Sequence, residues 1–197
     1  MIKNLIFDVG EVLLGYRWKD MLLEHGLSEE DAEEVGTTVF SDVSWNLFDL
    51  GEMNTCEVIT EYGRKYPALA ENISWFLNHA ELMPVKRPDV WERMLELKEK
   101  GYRIYLLSNY SEELFEKHTR EAEFLNYIDG KVVSGEIGIA KPDVKIYEYL
   151  FKEYELNPQE CKFFDDRKEN IEAGCRCGME GEIITSREQL LELLEEL

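Results

Sequence analysis

Three carboxylates, a lysine and a hydroxyl occupy places in this chain from which they could act together. Asp8 ends the apolar run Asn4-Leu5-Ile6-Phe7, and Ser108-Asn109 follow Arg103-Ile-Tyr-Leu-Leu107. Asp165-Asp166 follow Cys161-Lys-Phe-Phe164, and Lys141 directly precedes Pro142. Carboxylates gathered in a partly dry crevice repel one another unless a cation compensates them. Magnesium suits such a set, because it takes a few carboxylates, a carbonyl, waters and a substrate phosphate oxygen rather than a full protein cage. Asp8 and Asp166, with Asp165 behind them, are the expected ligands. Gly10 should let the backbone after Asp8 turn sharply and aim its carbonyl at the same ion. Asn170, one helical turn beyond Asp166, is placed to hold a coordinated water. A phosphate also needs donors. The Ser108 hydroxyl and the Asn109 amide, at a strand-to-helix turn, can supply them. A Lys141 ammonium beside Asp8 would neutralise both the carboxylate and a phosphoryl group.

This chemistry requires the apolar runs to be neighbouring strands of one sheet. From Pro84 onward, short apolar runs alternate with helical patterns, which implies a parallel sheet with helices on both faces. Ligands of such sheets bind beyond the carboxyl ends of the strands, where these polar residues fall. Pro88 opens a helix with Val90, Met94 and Leu97 on one face, and Gly101 ends it. A helix starts near Ser111, Lys131–Ser134 is a strand, and Pro142 opens a helix bearing Ile146, Tyr149 and Leu150. A helix ending at Gly178 precedes a strand at Glu182–Thr185, and Ser186 with Gln189 forms a capping box for the last helix.

Between Gly15 and Pro84 the pattern is helical. Helices are expected near Trp18–His25, Ser28–Phe40, Trp45–Leu50, Thr55–Tyr66 and Leu69–His79, with a cap signal at Ser28 and Asp31. Frequent aromatics (Trp18, Phe40, Trp45, Phe48, Trp75, Phe76) read as fillers of a small helical core. The expected organisation is an α/β domain from residues 1–15 and 84–197, with a helical insert at 16–83.

The chain has 197 residues, 44% of them hydrophobic, which suffices for a core. Its formal net charge of −20 disfavours nucleic acid and anionic lipid as partners. No apolar run approaches the roughly 18 residues of a membrane helix, and no signal peptide is expected. Cys56, Cys161, Cys175 and Cys177 lack zinc-site or disulfide spacing, so reduced thiols in a cytoplasmic protein are expected. Nothing in the sequence sets the oligomeric state.

The segments "FDVGEV", "LLSNYS", "AKPDVKIY" and "FFDDRKEN", in this order, resemble the four motifs of the haloacid dehalogenase-like (HAD) superfamily. The insert resembles its C1-type cap over a Rossmannoid core. The combination looks closest to a subgroup that includes alpha-D-glucose-1-phosphate phosphatase, and more distantly to the phosphatase domain of soluble epoxide hydrolases. The resemblance implies a magnesium-dependent phosphatase for a small phosphorylated metabolite, in which Asp8 attacks phosphorus and an aspartyl-phosphate is hydrolysed. Ser108 and Asn109 would hold the phosphoryl oxygens, Lys141 would stabilise charge, and Asp165 and Asp166 would bind magnesium.

One position departs from that pattern. Family phosphatases usually carry an acid/base aspartate two residues after the nucleophile, and here that residue is Gly10. The loss favours esters with good leaving groups, such as hexose 1-phosphates. Glu11 is the tempting replacement, although a solvent-facing role is the plainer reading. Gly10 also raises a non-catalytic binding or regulatory protein as an alternative, which the intact Asp8, Ser108, Lys141 and Asp166 oppose. A metal-independent 2-haloacid dehalogenase is opposed by the Asp165-Asp166 pair, and a phosphoglucomutase by the missing acid. Arg17, Trp18 and Trp45 are candidate substrate contacts from the insert, each with a packing role as the plainer reading.

Overall fold

The computed structural model describes residues 1–197. Strand β1 (Asn4–Phe7) leads through a tight turn to β2 (Leu14–Tyr16). Five helices follow: α1 (Trp18–Glu24), α2 (Glu29–Ser41), α3 (Val43–Asp49), α4 (Thr55–Lys65) and α5 (Ala70–Asn78). The chain returns through β3 (Pro84–Lys86), α6 (Pro88–Glu99), β4 (Arg103–Ser108), α7 (Glu112–Thr119), β5 (Gly130–Val133) and the single turn α8 (Ser134–Ile137). It finishes with α9 (Val144–Glu153), β6 (Cys161–Asp165), α10 (Lys168–Arg176), β7 (Glu180–Ile183) and α11 (Arg187–Glu195). This is an α/β fold: a parallel sheet ordered β5-β4-β1-β6-β7, with a helical cap inserted after the first strand.

β1 is central and wholly buried, which explains its unbroken apolar run. Its side chains alternate. Leu5 and Phe7 join an apolar cluster of 35 buried residues that continues into the cap through Met21, Val35, Phe48 and Phe76. Ile6 faces a smaller cluster with Tyr105, Leu107, Ile146 and Phe163. Phe7 pairs with Leu106 on one side and Phe164 on the other. That register brings Asp8, Ser108 and Asp165 to one edge of the sheet.

The cap leaves and rejoins the core through an antiparallel ribbon, with Tyr16 opposite Pro84 and Leu14 opposite Lys86. Neither strand carries a sequence signal long enough to foresee. Inside the cap, Phe40 meets Trp18, Trp45 and Phe76 edge-on with ring centroids 5.7, 5.0 and 5.9 Å apart. Gly36 makes room for this cluster, since a Cβ there would lie 2.2 Å from the Trp18 ring.

Several local expectations shift. Helix α9 starts at Val144 with Asp143 as its N-cap, so Pro142 stands outside it and Lys141 is not at its mouth. Strand β5 spans Gly130–Val133 and Ser134 begins the next helix. Strand β7 lies at Glu180–Ile183, two residues earlier than expected, because its Glu-Gly-Glu start reads as a loop. Ser186 caps α11 by accepting from the Gln189 amide at 3.1 Å. The Gln189 side chain accepts from the Thr185 amide, at 2.7 Å, rather than from Ser186, so the box is offset by one residue. A reciprocal capping box does occur at α4, between Asn54 and Glu57. No helix is long and apolar enough to cross a membrane.

Candidate active site

Asp8 lies at the tip of β1 with its side chain 11% exposed, opening on a cavity of about 530 Å³ between sheet edge and cap. Its Oδ1 accepts from the Val9 amide at 2.7 Å and from the Ser108 hydroxyl at 2.6 Å. Its Oδ2 faces Lys141 Nζ at 3.1 Å. The carboxylate is therefore held in one orientation from β1, β4 and the loop before α9. The Ser108 hydrogen is directed at Asp8 rather than into the cavity, so here Ser108 orients the carboxylate.

Lys141 is completely buried along its side chain and binds Asp165 Oδ2 at 2.6 Å and the Leu107 carbonyl at 2.7 Å, besides Asp8. An Asn109 clasp, rather than a helix start, fixes it. The Asn109 side chain donates to the Lys141 carbonyl and accepts from the Lys141 amide, both at 2.8 Å. The Asn109 amide also lies before Ser111, the cap of α7, and so outside that helix's first turn.

The two tandem aspartates divide their work. Asp165 is fully buried and saturated: Lys141 binds Oδ2, and the Arg167 amide and Asn170 Nδ2 bind Oδ1 at 2.8 and 2.9 Å. Asp166 makes no such bonds and lines the cavity. One carboxylate oxygen from each of Asp8, Asp165 and Asp166 falls within 4.8 Å of the others. Burial, then the neighbouring carboxylates Asp165 and Asp166, push Asp8 up to about 7 against the pull of Lys141. Burial, then Asp165, push Asp166 up to about 6. Asn170 is buried and its Oδ1 has no hydrogen-bond partner. Three carboxylates that share a single ammonium, beside an orphaned amide oxygen, form an all-oxygen donor set that fits a hard divalent cation.

Gly10 lines the cavity, but its backbone is not left-handed. The left-handed residue of the turn is Glu11, with φ 55°. Arg87 clamps this turn, donating to the Glu11 and Val12 carbonyls at 2.6 and 3.0 Å. The Glu11 carboxylate is engaged by Arg87 at 3.1 Å and by the Tyr16 amide at 3.2 Å, which turns it to the hinge rather than to Asp8. Tyr16 packs over position 10: an added Cβ would lie 2.8 Å from the phenol oxygen, so a side chain there would oblige Tyr16 to shift.

Of the cap candidates, Trp18 and Trp45 line the cavity, whereas Arg17 pairs with Glu24 outside it. Tyr16, Asp49, Tyr110 and Arg167 line the cavity too and were not foreseen. Arg167 sits inside the "FFDDRKEN" segment, and Asp49 precedes the helix-ending Gly51, a weak signal. Tyr110 sits inside the "LLSNYS" segment, whereas Tyr16 carries no sequence signal.

A family model described as haloacid dehalogenase-like hydrolase matches residues 2–178. The chain belongs to the haloacid dehalogenase-like hydrolase family. Among curated proteins, it is 27% identical over 182 residues to a sesquiterpene phosphatase of Aspergillus oryzae, covering 91% of this chain and 88% of that one. It is 26% identical over 194 residues to a D-ribitol-5-phosphate phosphatase of Bacteroides thetaiotaomicron, covering 91% and 90%. Among solved structures, a HAD family enzyme of Bacteroides thetaiotaomicron in complex with magnesium and inorganic phosphate superposes with a TM-score of 0.75 at 21% identity, over 95% and 96% of the two chains. That likeness shows the HAD fold.

Proposed function

We propose that this hydrolase is a magnesium-dependent phosphatase acting on a small phosphorylated metabolite through an aspartyl-phosphate on Asp8. The observation that carries the reading is the convergence of Asp8, Lys141 and Asp166 at one cavity floor, with Ser108 and Asn109 orienting the first two. The phosphatases among its relatives, and the magnesium and phosphate bound by the structural neighbour, support it.

Asp8, the Gly10 carbonyl and Asp166 would hold the magnesium, with a water on Asn170 and with Asp165 as the anchor that keeps Lys141 in place. The ion supplies positive charge for a phosphate in an otherwise acidic site. The protein's own residues do the rest. Ser108 and the Val9 amide hold Asp8 for in-line attack, which makes the reaction effectively unimolecular. Lys141 stabilises the charge that moves between Asp8 and the phosphoryl group. The aromatic wall formed by Tyr16, Trp18 and Trp45 offers flat apolar faces to the leaving portion and limits water.

A sugar phosphate such as a hexose 1-phosphate is the favoured substrate. The cavity is of metabolite size, its wall suits the C–H face of a sugar ring, and an anomeric oxygen departs readily beside a Gly10 that offers no acid. Turnover of a panel of phosphate esters, with and without magnesium, tests the reading. Hydrolysis should need the metal, and Asp8→Asn, which keeps shape but removes the nucleophile, should lower it by at least about 10⁴-fold. Full activity in chelator, or appreciable turnover by the variant, would refute the mechanism.

A further inference from the structure

We infer that Asp49, at the end of cap helix α3, is the general acid and base of this active site. The inference rests on the phosphatase reading and adds the group that handles the proton. An alkoxide leaving from phosphorus needs a proton, and the position two residues after Asp8 offers only glycine, closed over by Tyr16.

The other groups around the cavity are committed, Asp166 among them as a metal ligand in the phosphatase reading. Glu11 is held by Arg87 and the Tyr16 amide. The Lys141 protons are shared among Asp8, Asp165 and the Leu107 carbonyl. The hydrogen of Tyr16 is directed at Tyr110 Oη, at 2.6 Å. Tyr110 in turn reaches His118 Nδ1 at 2.6 Å, and His118 Nε2 reaches the Ala80 carbonyl at 2.8 Å. A carbonyl can only accept, so Nε2 carries the ring hydrogen, Nδ1 accepts from Tyr110, and Tyr110 accepts from Tyr16. Burial lowers His118 to about 4, which keeps the ring neutral and this polarity fixed. The relay ends in a carbonyl and has no proton to give.

Asp49 differs on each count. Its carboxyl pairs with no basic side chain and makes no hydrogen bond to another side chain, and it lines the same cavity as Asp8. It stands outside the metal-type cluster of Asp8, Asp165 and Asp166. The core holds its backbone: Ser134 Oγ donates to the Asp49 carbonyl at 2.5 Å and accepts from the Tyr110 amide at 2.9 Å. Gly51 lets the chain turn against the core there, since a Cβ would lie 2.6 Å from the Gly135 carbonyl. The groups facing Asp49 are the Ser111 amide at the start of α7, Asp8 after β1, Arg167 after β6, Lys141 before α9, Tyr16 from β2, Tyr110 after β4 and Tyr62 from α4. Burial is the largest influence and, with Asp8, holds Asp49 at about 7 against the Ser111 amide, Arg167 and Lys141. Such a group can both give and take a proton near neutrality.

The protons balance over one cycle. Asp8 attacks phosphorus and the bond from phosphorus to the leaving oxygen breaks. That oxygen takes the bonding pair and the Asp49 proton, and departs as the alcohol. Asp49, now a carboxylate, takes a proton from the water that attacks the aspartyl-phosphate. The bond from phosphorus to Asp8 breaks with its electrons returning to Asp8, and Asp49 ends protonated as it began. With this donor the esters accepted extend from sugar 1-phosphates to phosphates of ordinary alcohols.

The test compares kcat/KM for p-nitrophenyl phosphate, whose leaving group needs no proton, with that for an alkyl phosphate. Asp49→Asn should lower the alkyl value by about 10²–10⁴-fold and the aryl value by less than about threefold. Equal falls on both, or no fall on either, would overturn the assignment. A second measurement uses the unmodified protein: the ratio of alkyl to aryl kcat/KM should drop about tenfold per pH unit above pH 7, as the donor loses its proton. A ratio constant from pH 6 to 9 would also overturn it. If the unmodified protein hydrolyses neither ester with magnesium, the phosphatase reading fails instead.

Discussion

The floor and the wall of the cavity are built on different principles. The floor is charged, lies at the tips of β1, β4 and β6, and is locked by hydrogen bonds of 2.6–3.1 Å. The wall is aromatic, comes from the hinge ribbon and cap helices, and is held by ring packing around Phe40. Bond-making at phosphorus demands placement within a few tenths of an ångström, which a sheet edge provides. Accommodating the rest of a substrate demands shape, which packed rings provide. The floor should therefore govern kcat and the wall KM, with Asp49 as the exception where the wall reaches into the chemistry.

A large effect on activity and stability together should follow from removing the cation of the floor. Lys141→Ala leaves Asp8 and Asp165 buried without their shared partner. Activity should fall by about 10²–10³-fold, and stability by about 3–5 kcal/mol. The double variant Lys141→Ala/Asp165→Asn removes one of the stranded charges. It should recover much of the stability in urea denaturation and none of the activity. A double variant that regains turnover would mean that Lys141 serves only to keep Asp165 company.

A smaller effect separates the floor from ordinary surface carboxylates. Asp8 and Asp49 are raised to about 7 and Asp166 to about 6, burial being the first cause in each. A raised carboxyl holds a proton in the folded chain that the unfolded chain has released. Its stabilising contribution is complete below the unfolded value near 4 and is lost as pH rises through 6 to 7. Without metal, melting temperature should fall on the order of 5–10 °C between pH 5 and 8. Magnesium should restore it at pH 8 and do little at pH 5, where the ligands carry protons. Fluorimetric melts at both pH values check this, and an equal magnesium shift at each would exclude these carboxylates as the ligands.

The same contrast decides what could be read from the sequence. A strand buried on both faces of a parallel sheet must be a short apolar run, and a polar residue at its end marks the edge. That logic puts Asp8, Ser108 and Asp165 at one end of the sheet, where the strand register has them. It set Asp165 behind Asp8 and Asp166 but could not tie it to Lys141 and the Arg167 amide, which claim both of its oxygens. It also misjudged Gly10, because what packs over that glycine is Tyr16, six residues on and folded back. The Asn109 clasp on Lys141 spans 32 residues and has no local trace. Asp49 was illegible for a similar reason: a carboxylate at the end of a short helix is commonplace until Ser134 ties its backbone to the core at the cavity that Asp8 also lines.

The smallest effect should come from the wall itself. Trp45 packs edge-on against Phe40 and Phe48, with centroids 5.0 and 5.7 Å away, and also borders the cavity. Trp45→Phe keeps an aromatic ring in that cluster and withdraws only the outer part of the indole. A residue that contacts the substrate equally in ground and transition states affects KM alone. KM should rise by about three- to tenfold with kcat within about twofold of the parent. Asp49 is tied to the core by Ser134 and not by Trp45, so the leaving-group dependence should stay as it was. A fall in kcat with KM unchanged would mean that the aromatic cluster sets how closely the cap meets the sheet edge. The division between a floor that reacts and a wall that recognises would then fail at Trp45 as well as at Asp49.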